Sequence, residues 1–447
     1  MPNWHEFGVR SVISRLVRGA ALLAVVFGAV SLSSGCATVN FSESPVGSVS
    51  FEKYRRDTIA QIQVGRSFQL ADRDAELAWN APQEWRPAES EAGARPRKGI
   101  LFVHGLGDSP WSFHDLGPPL ASQGFLVRTV LLPGHGTRPD DLLRTTAEQW
   151  RQVVWEQAMA LQRDVDGEVY LGGFSTGANL VLDYAYSHPE IAGLVLFSPG
   201  FKSMPFDWLA PLAARVRPWL IRPDGTIPMQ NAVKYFNVPS NGFAQFYRTS
   251  ANARQLLRDR AYEMPVFMVV AEHDSVLDTD YLLDVFQRRF THPDSRLVWY
   301  GGEPDGLTDR RRVLVQQDRL PEWRISQFSH MSVTFSPVNT VYGDGGSLRL
   351  CLNGLREGDT QACEKGEPVW YSDWGYREEG KVHARLTFNP YFEWQTSVML
   401  AMLNTATTSA ISQDVALKTS MSERSGPASP SLDPSTFPKQ AKGRQTP

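Results

Sequence analysis

Three residues in this chain have the types and spacing for covalent chemistry: a serine between glycines, an aspartate after an apolar run, and a histidine downstream of both. The serine is Ser175, in Gly173-Phe174-Ser175-Thr176-Gly177. A serine at the tip of a strand-to-helix turn needs small neighbours two places to either side, which Gly173 and Gly177 supply. The helix that follows would aim its N-terminus at the serine, so the Thr176 N–H can donate to a developing oxyanion. Because a serine hydroxyl is a weak nucleophile at neutral pH, it needs a base, and the base needs a carboxylate to orient it. Asp274 follows the run Pro265–Ala271, where a short carboxylate can reach a neighbouring loop, whereas Asp278 and Asp280 lie further into the next helix. Among nine histidines, His330 in Phe328-Ser329-His330-Met331-Ser332 directly follows an extended segment and is preferred as base over His383. His104, His135 and His188 precede or flank other elements, His273 abuts the acid, and His292 precedes a strand. The competing reading is a glycine-rich turn with a solvent-facing serine and an ordinary turn aspartate.

The elements that must position these residues follow from hydrophobic patterning. Gly99–Val103, Leu126–Leu132, Glu168–Leu171, Gly193–Phe197, Pro265–Ala271 and Arg296–Tyr300 are short and mostly apolar. Continuous apolar runs of this length mark strands buried on both faces. Between them lie helical patterns: Thr145–Arg163 places Trp150, Val153, Val154, Gln157, Ala158 and Leu161 on one face, and Tyr281–Phe290 reads as another helix. Alternating strands and helices imply an α/β fold with a doubly wound, mainly parallel sheet, whose sites lie at the carboxyl ends of strands. His104-Gly105, Ser175 and Asp274 all fall at such ends. Pro82–Pro96 reads as a loop, Gly301–Leu320 as a charged loop excursion, and Phe51–Leu77 as a helix or two. Residues 198–262 interrupt the alternation with many aromatic residues. As a lid over the site they would form an apolar pocket, with at least some of Phe201, Phe206, Trp208, Phe243 and Phe246 facing the cleft.

Composition sets the remaining bounds. The chain has 447 residues, 42% of them hydrophobic, with 45 Lys+Arg against 48 Asp+Glu. It can bury a large core, and it has no basic stripe of the kind that binds nucleic acid. No histidine or cysteine spacing suggests a metal, and no cofactor is expected. Arg10, Arg15 and Arg18 precede an uncharged segment, Gly19–Leu32, too short to span a bilayer comfortably and fit for a cleaved signal.

Two resemblances follow. Ser33-Ser34-Gly35-Cys36 is similar to the lipobox of bacterial lipoproteins, although Ser33 stands where that pattern prefers leucine. It implies a cleaved signal over 1–35, lipidation of Cys36 and an address in the cell envelope. Ala37, rather than an aspartate, points to the outer membrane. Nothing polybasic would remain after cleavage, so a membrane partner would be held by lipid. With Cys36 so used, Cys351 and Cys363 remain, with eleven residues between them. In an oxidising compartment they read as a disulfide worth roughly 3 kcal/mol in the entropic model. The alternative is a pair of small unbonded hydrophobes.

The second resemblance rests on His104-Gly105-Leu106-Gly107-Asp108-Ser109, on Leu132-Pro-Gly-His-Gly-Thr-Arg-Pro-Asp-Asp141 with Trp150 downstream, and on the serine motif. Together these resemble the monoacylglycerol lipase, lysophospholipase and serine aminopeptidase-like branch of the α/β-hydrolases. That family implies a triad of Ser175, Asp274 and His330, with the Leu106 and Thr176 N–H groups as oxyanion donors. It also implies hydrolysis of hydrophobic or lipid-like acyl esters. An amide or peptide hydrolase, or a non-catalytic envelope lipoprotein on the same fold, are the other expectations. The expected organisation is a signal over 1–35, a tether and N-terminal extension over 36–95, a hydrolase domain over 96–404 and a disordered tail over 405–447.

Overall fold

The structure is a computed structural model that describes residues 49–88, 95–203, 205–225, 228–354 and 357–405. The signal over 1–35, Cys36 and the tail beyond residue 405 lie outside the described residues. Among the described residues there are ten strands: β1 Glu84–Trp85, β2 Lys98–Val103, β3 Phe125–Val130, β4 Glu168–Phe174, β5 Gly193–Phe197, β6 Val266–Ala271, β7 Arg296–Tyr300, β8 Val313–Gln316, β9 Val369–Ser372 and β10 Val382–Arg385. The helices are α1 Phe51–Gly65, α2 Arg73–Asn80, α3 Gly117–Ser122, α4 Ala147–Asp164, α5 Thr176–Ser187, α6 Ala210–Val216, α7 Ser240–Asp259, α8 Thr279–Arg289, α9 Glu357–Glu364 and α10 over 392–405.

Eight strands form one sheet in the order β1-β3-β2-β4-β5-β6-β7-β8, parallel throughout except for the antiparallel edge strand β1. Alternate residues of the central strands feed two cores, as the two-residue period of a strand requires. Leu101, Val103, Leu194, Leu196, Met268 and Val270 pack on α4, α5, α7 and α8. Ile100, Phe102, Val195, Phe197, Phe267 and Val269 pack on α3, α10 and the segment from Leu320 to Phe388. Each large apolar side chain buried this way contributes about 1.5–3 kcal/mol. Helix α4 starts as its sequence dictates: Thr146 and Gln149 form a reciprocal capping box.

Two sequence expectations are corrected here. The stretch Pro82–Pro96, read as a loop, contributes β1, whose Glu84 pairs with Arg128 of β3. Gly301–Leu320, read as a loop excursion, contains β8, which extends the sheet beyond β7. Both are edge strands, partly exposed, so neither needs the apolar run that marks an inner strand.

Helices α1 and α2 are locked to the main body by charge. Arg66 Nε donates to Glu76 Oε1 at 2.7 Å, with both side chains fully buried. The remaining Arg66 nitrogens donate to the carbonyls of Gly136, Asn231 and Ala232. Glu76 Oε2 accepts from the Gln69 and Leu70 N–H groups. With every guanidinium nitrogen bonded, the pair tolerates burial; removing one partner would strand a charge at about 3–5 kcal/mol. It ties the N-terminal helices to the loop after β3 and to the insert that follows β5.

Candidate active site

Ser175 stands between β4 and α5 with φ 53° and ψ −112°, a left-handed region that costs a non-glycine residue about 1–3 kcal/mol. Its backbone is held from three sides. Its N–H donates to the Phe197 carbonyl at the end of β5, and its carbonyl accepts from the Ala178 and Gly200 N–H groups. The two elbow glycines answer to close approaches. A Cβ on Gly173 would lie 2.4 Å from the Ala178 nitrogen, and one on Gly177 would lie 1.9 Å from the Val103 carbonyl oxygen. Any larger residue would push α5 off β2 and β4.

Asp274 lies in the turn after β6 and His330 in the segment after β8. Asp274 Oδ2 accepts from His330 Nδ1 at 2.6 Å, and the carboxylate is fully buried. Its Oδ1 accepts from the Val276 and Leu277 N–H groups at 2.9 and 3.2 Å, which fixes the plane of the carboxylate. Because Nδ1 carries the proton in this bond, Nε2 is left as the basic nitrogen of the ring. The imidazole packs on the Phe174 ring, beside the serine, with centroids 5.0 Å apart. Ser175 and His330 line one cavity of about 590 Å³, together with Leu106 and Thr176. Asp274 stands behind His330, out of the cavity.

The loop that carries Leu106 is set by two histidines that are not bases. His104 Nε2 accepts from the Leu132 N–H, and His135 Nε2 accepts from the Gly107 N–H, both at 3.0 Å. Each Nδ1 donates to a nearby carbonyl, that of Gly105 for His104 and of Leu132 and Pro133 for His135. Burial lowers their pKa values to about 4 and about 3, so both rings are neutral at physiological pH and serve as fixed acceptor–donor bridges. Gly107 itself has φ +72°.

The insert between β5 and β6 forms most of the cavity wall. Phe206, Leu209 and Ala213 from its first half and Val238, Phe243 and Phe246 from its second face the space above Ser175. Two of the aromatic residues expected in the cleft are elsewhere. Phe201 is fully buried against Phe290, with ring centroids 6.2 Å apart, and Trp208 is 58% exposed on the surface. The lining is therefore apolar, as expected, and Tyr235 and Tyr247 join Phe206, Phe243 and Phe246 as the insert's aromatic rings in it.

Sequence reasoning missed Asp373, Arg385 and Lys234. Asp373, just after β9, is buried; its Oδ1 accepts from the His330 N–H at 3.3 Å and its Oδ2 from the Ser275 N–H at 2.9 Å. It clamps the acid's turn to the base's segment. Burial, and then the neighbouring Asp274 charge, raise its pKa above the ordinary aspartate range. Arg385 and Lys234 line the cavity itself. No motif surrounds any of the three, and Asp373 is 98 residues from Ser275. Cys351 and Cys363 are joined by a disulfide, with Cα atoms 5.5 Å apart. Among the described residues, no group of three or more His, Cys, Asp and Glu side chains is placed to hold a metal ion. No helix among them is long and apolar enough to cross a membrane.

Residues 94–303 match the family model described as serine aminopeptidase, S33. A thermostable monoacylglycerol lipase of Bacillus sp. (strain H-257) is 35% identical over 97 residues, 22% of this chain and 38% of that protein. A carboxylesterase of Bacillus subtilis (strain 168) is 24% identical over 236 residues, 49% of this chain and 90% of that protein. The match thus spans well under half of the lipase and most of the carboxylesterase. Among solved structures, a monoacylglycerol lipase of Paleococcus ferrophilus is 20% identical, with 49% of this chain and 88% of that chain covered and a TM-score of 0.39.

Proposed function

We propose that this chain, an α/β-hydrolase similar over residues 94–303 to the monoacylglycerol lipase and serine aminopeptidase branch, cleaves carboxylic esters of hydrophobic acyl groups through an acyl-enzyme on Ser175. The observation that carries this reading is the His330–Asp274 hydrogen bond at the wall of an apolar cavity that also holds Ser175. His330 Nε2 takes the Ser175 Oγ proton as Oγ attacks the ester carbonyl carbon. The carbonyl electrons move onto oxygen, where the Leu106 and Thr176 N–H groups receive the negative charge. Collapse of this intermediate breaks the bond to the alcohol oxygen, which leaves with the proton held by His330. Water then repeats the sequence on the acyl-enzyme: it gives a proton to His330, and the acid departs as Ser175 recovers its hydrogen. Asp274 stays ionised throughout and holds the ring with Nε2 facing the serine.

An apolar wall should reward chain length. Each added methylene is worth about 0.8 kcal/mol when buried, close to fourfold in kcat/KM if the gain is realised in the transition state. Initial rates on p-nitrophenyl esters are expected to climb from acetate through hexanoate. A preference for acetate would refute the acyl pocket, and faster cleavage of aminoacyl p-nitroanilides than of esters would favour an amide hydrolase.

Attachment to a membrane of the cell envelope through lipid on Cys36 is part of the same proposal, supported by the small residues before that cysteine. Cys36→Ser should move the protein from the membrane fraction to the soluble one or leave its signal uncleaved. An unchanged partition together with an unchanged mass would rule out the anchor.

A further inference from the structure

We infer that the cavity accepts an ester bearing an anionic group, a carboxylate or a phosphate, which the Arg385 guanidinium binds. The inference rests on the esterase reading of Ser175 and narrows its substrate class. Arg385 closes β10 and lines the same cavity as Ser175 and His330. It is a prepared side chain rather than a floppy one. Its guanidinium carbon sits 4.5 Å from the centre of the Trp374 ring. Its Nε donates to Asn353 Oδ1 at 2.8 Å. Asn353 is fully buried, and its Nδ2 donates to Ser372 Oγ and to the Asp373 carbonyl. The disulfide between Cys351 and Cys363 closes the loop that carries Asn353. Stacking and the Nε bond settle the plane of the group and leave the two terminal nitrogens to spend.

Those terminal nitrogens have no protein acceptor among the described residues, and no carboxylate oxygen lies within 4.0 Å of the guanidinium. The two nearby carboxylates are occupied elsewhere. Asp274 receives His330 Nδ1 and the Val276 and Leu277 N–H groups, and Asp373 receives the His330 and Ser275 N–H groups. They act on Arg385 at longer range: burial lowers its pKa to about 10 and Asp373 and then Asp274 oppose that fall, so it is charged at pH 7. A second cation, Lys234, lines the same cavity with its Nζ 3.5 Å from Asp108 Oδ2. The Tyr342 phenol lies within the fields of both Asp108 and Arg385.

A neutral acyl chain pressed against this guanidinium would strip water from its free N–H groups and return nothing. A carboxylate or phosphate would replace that water with paired, charge-assisted bonds, for which the planar fork is the suited partner. The competing role is a counterion that keeps the buried Asp274 and Asp373 charges tolerable. The two roles differ in what they do to substrates. A counterion affects every ester alike, whereas a binding group affects the anionic one.

The test compares matched pairs on the full-length protein. One pair places phosphate on the alcohol side, 1-lauroylglycerol 3-phosphate against 1-lauroylglycerol. The other places carboxylate on the acyl side, monoethyl suberate against ethyl octanoate. At low ionic strength, the wild-type protein should turn over the anionic member of at least one pair with kcat/KM at least tenfold above its partner, and the pair that responds identifies the anion. Arg385→Gln should lose at least tenfold more on that ester than on its neutral partner, mainly in KM. Arg385→Lys should restore part of the difference, since it returns the charge without the fork. A wild-type preference for the neutral ester in both pairs would overturn the inference, and this result needs no variant to fold. So would equal losses on both esters in Arg385→Gln, which is the counterion outcome. Ser175→Ala separates the two proposals: retained hydrolysis of neutral esters in that variant overturns the esterase reading itself, whatever the anion preference.

Discussion

Replacing His330 with alanine should lower kcat on a p-nitrophenyl ester by on the order of ten-thousandfold or more, with little change in folding. The ring's Nδ1 is bound by Asp274 and its face rests on Phe174, so no other described imidazole can take its place beside Ser175. His104 and His135 line up with the oxyanion loop, but their ring nitrogens are committed to backbone groups and burial keeps them neutral. His273 pairs with Asp318 at 2.7 Å and faces partly outward. His383, the alternative base by chain order, is buried in β10 with its ring edge against Tyr376 and borders a different, polar cavity. His383→Ala should therefore leave kcat within about an order of magnitude. Steady-state kinetics on the two variants, each checked by circular dichroism, decides between them. If His383→Ala were the inactive one and His330→Ala the active one, the assignment of the base would be lost.

The parts of this molecule that could be read from sequence are those where local pattern and tertiary role coincide. The runs that became β2, β5 and β6 are buried on both faces, so every residue must be apolar or small and the pattern is unambiguous. The serine turn is legible because Gly173 and Gly177 answer to backbone atoms a few residues or one strand away. Edge strands have no such constraint. β1 is two residues long, and β8 is only partly buried along Leu314–Gln316, so charged neighbours are tolerated and the run looks like loop. The aromatic residues of the insert signalled an apolar surface but not which surface. Phe201 went to the main core, Phe206 to the cavity, and Trp208 to solvent. Asp373 and Arg385 were illegible for a different reason. Their partners lie in segments far away in the chain, and a lone aspartate or arginine in a polar stretch carries no local mark of such a contact.

Two buried carboxylates stand behind one histidine, and their removal should separate their roles. Asp274→Asn is expected to reduce kcat by about three to four orders of magnitude. The amide oxygen can still accept from Val276 and Leu277, which turns its NH2 group toward His330 Nδ1. Two donors cannot face each other, so the ring's proton moves to Nε2 and the base loses the lone pair that would receive the serine proton. The protein should stay folded, because the backbone bonds of the turn survive. Asp373→Asn should cost about tenfold or less. Asp373 accepts from backbone N–H groups, those of Ser275 and His330 among them, an amide oxygen can keep part of this set, and no ring nitrogen changes its tautomer. Removing the Asp373 carboxylate also relieves the repulsion from Asp274 that raises its pKa, which offsets part of the lost positioning. The kinetic signature is a fall in kcat with KM nearly unchanged for Asp274→Asn, against a small change spread over both constants for Asp373→Asn. Should Asp373→Asn prove the more damaging of the two in kcat, Asp373 and not Asp274 would be the group that orients the base.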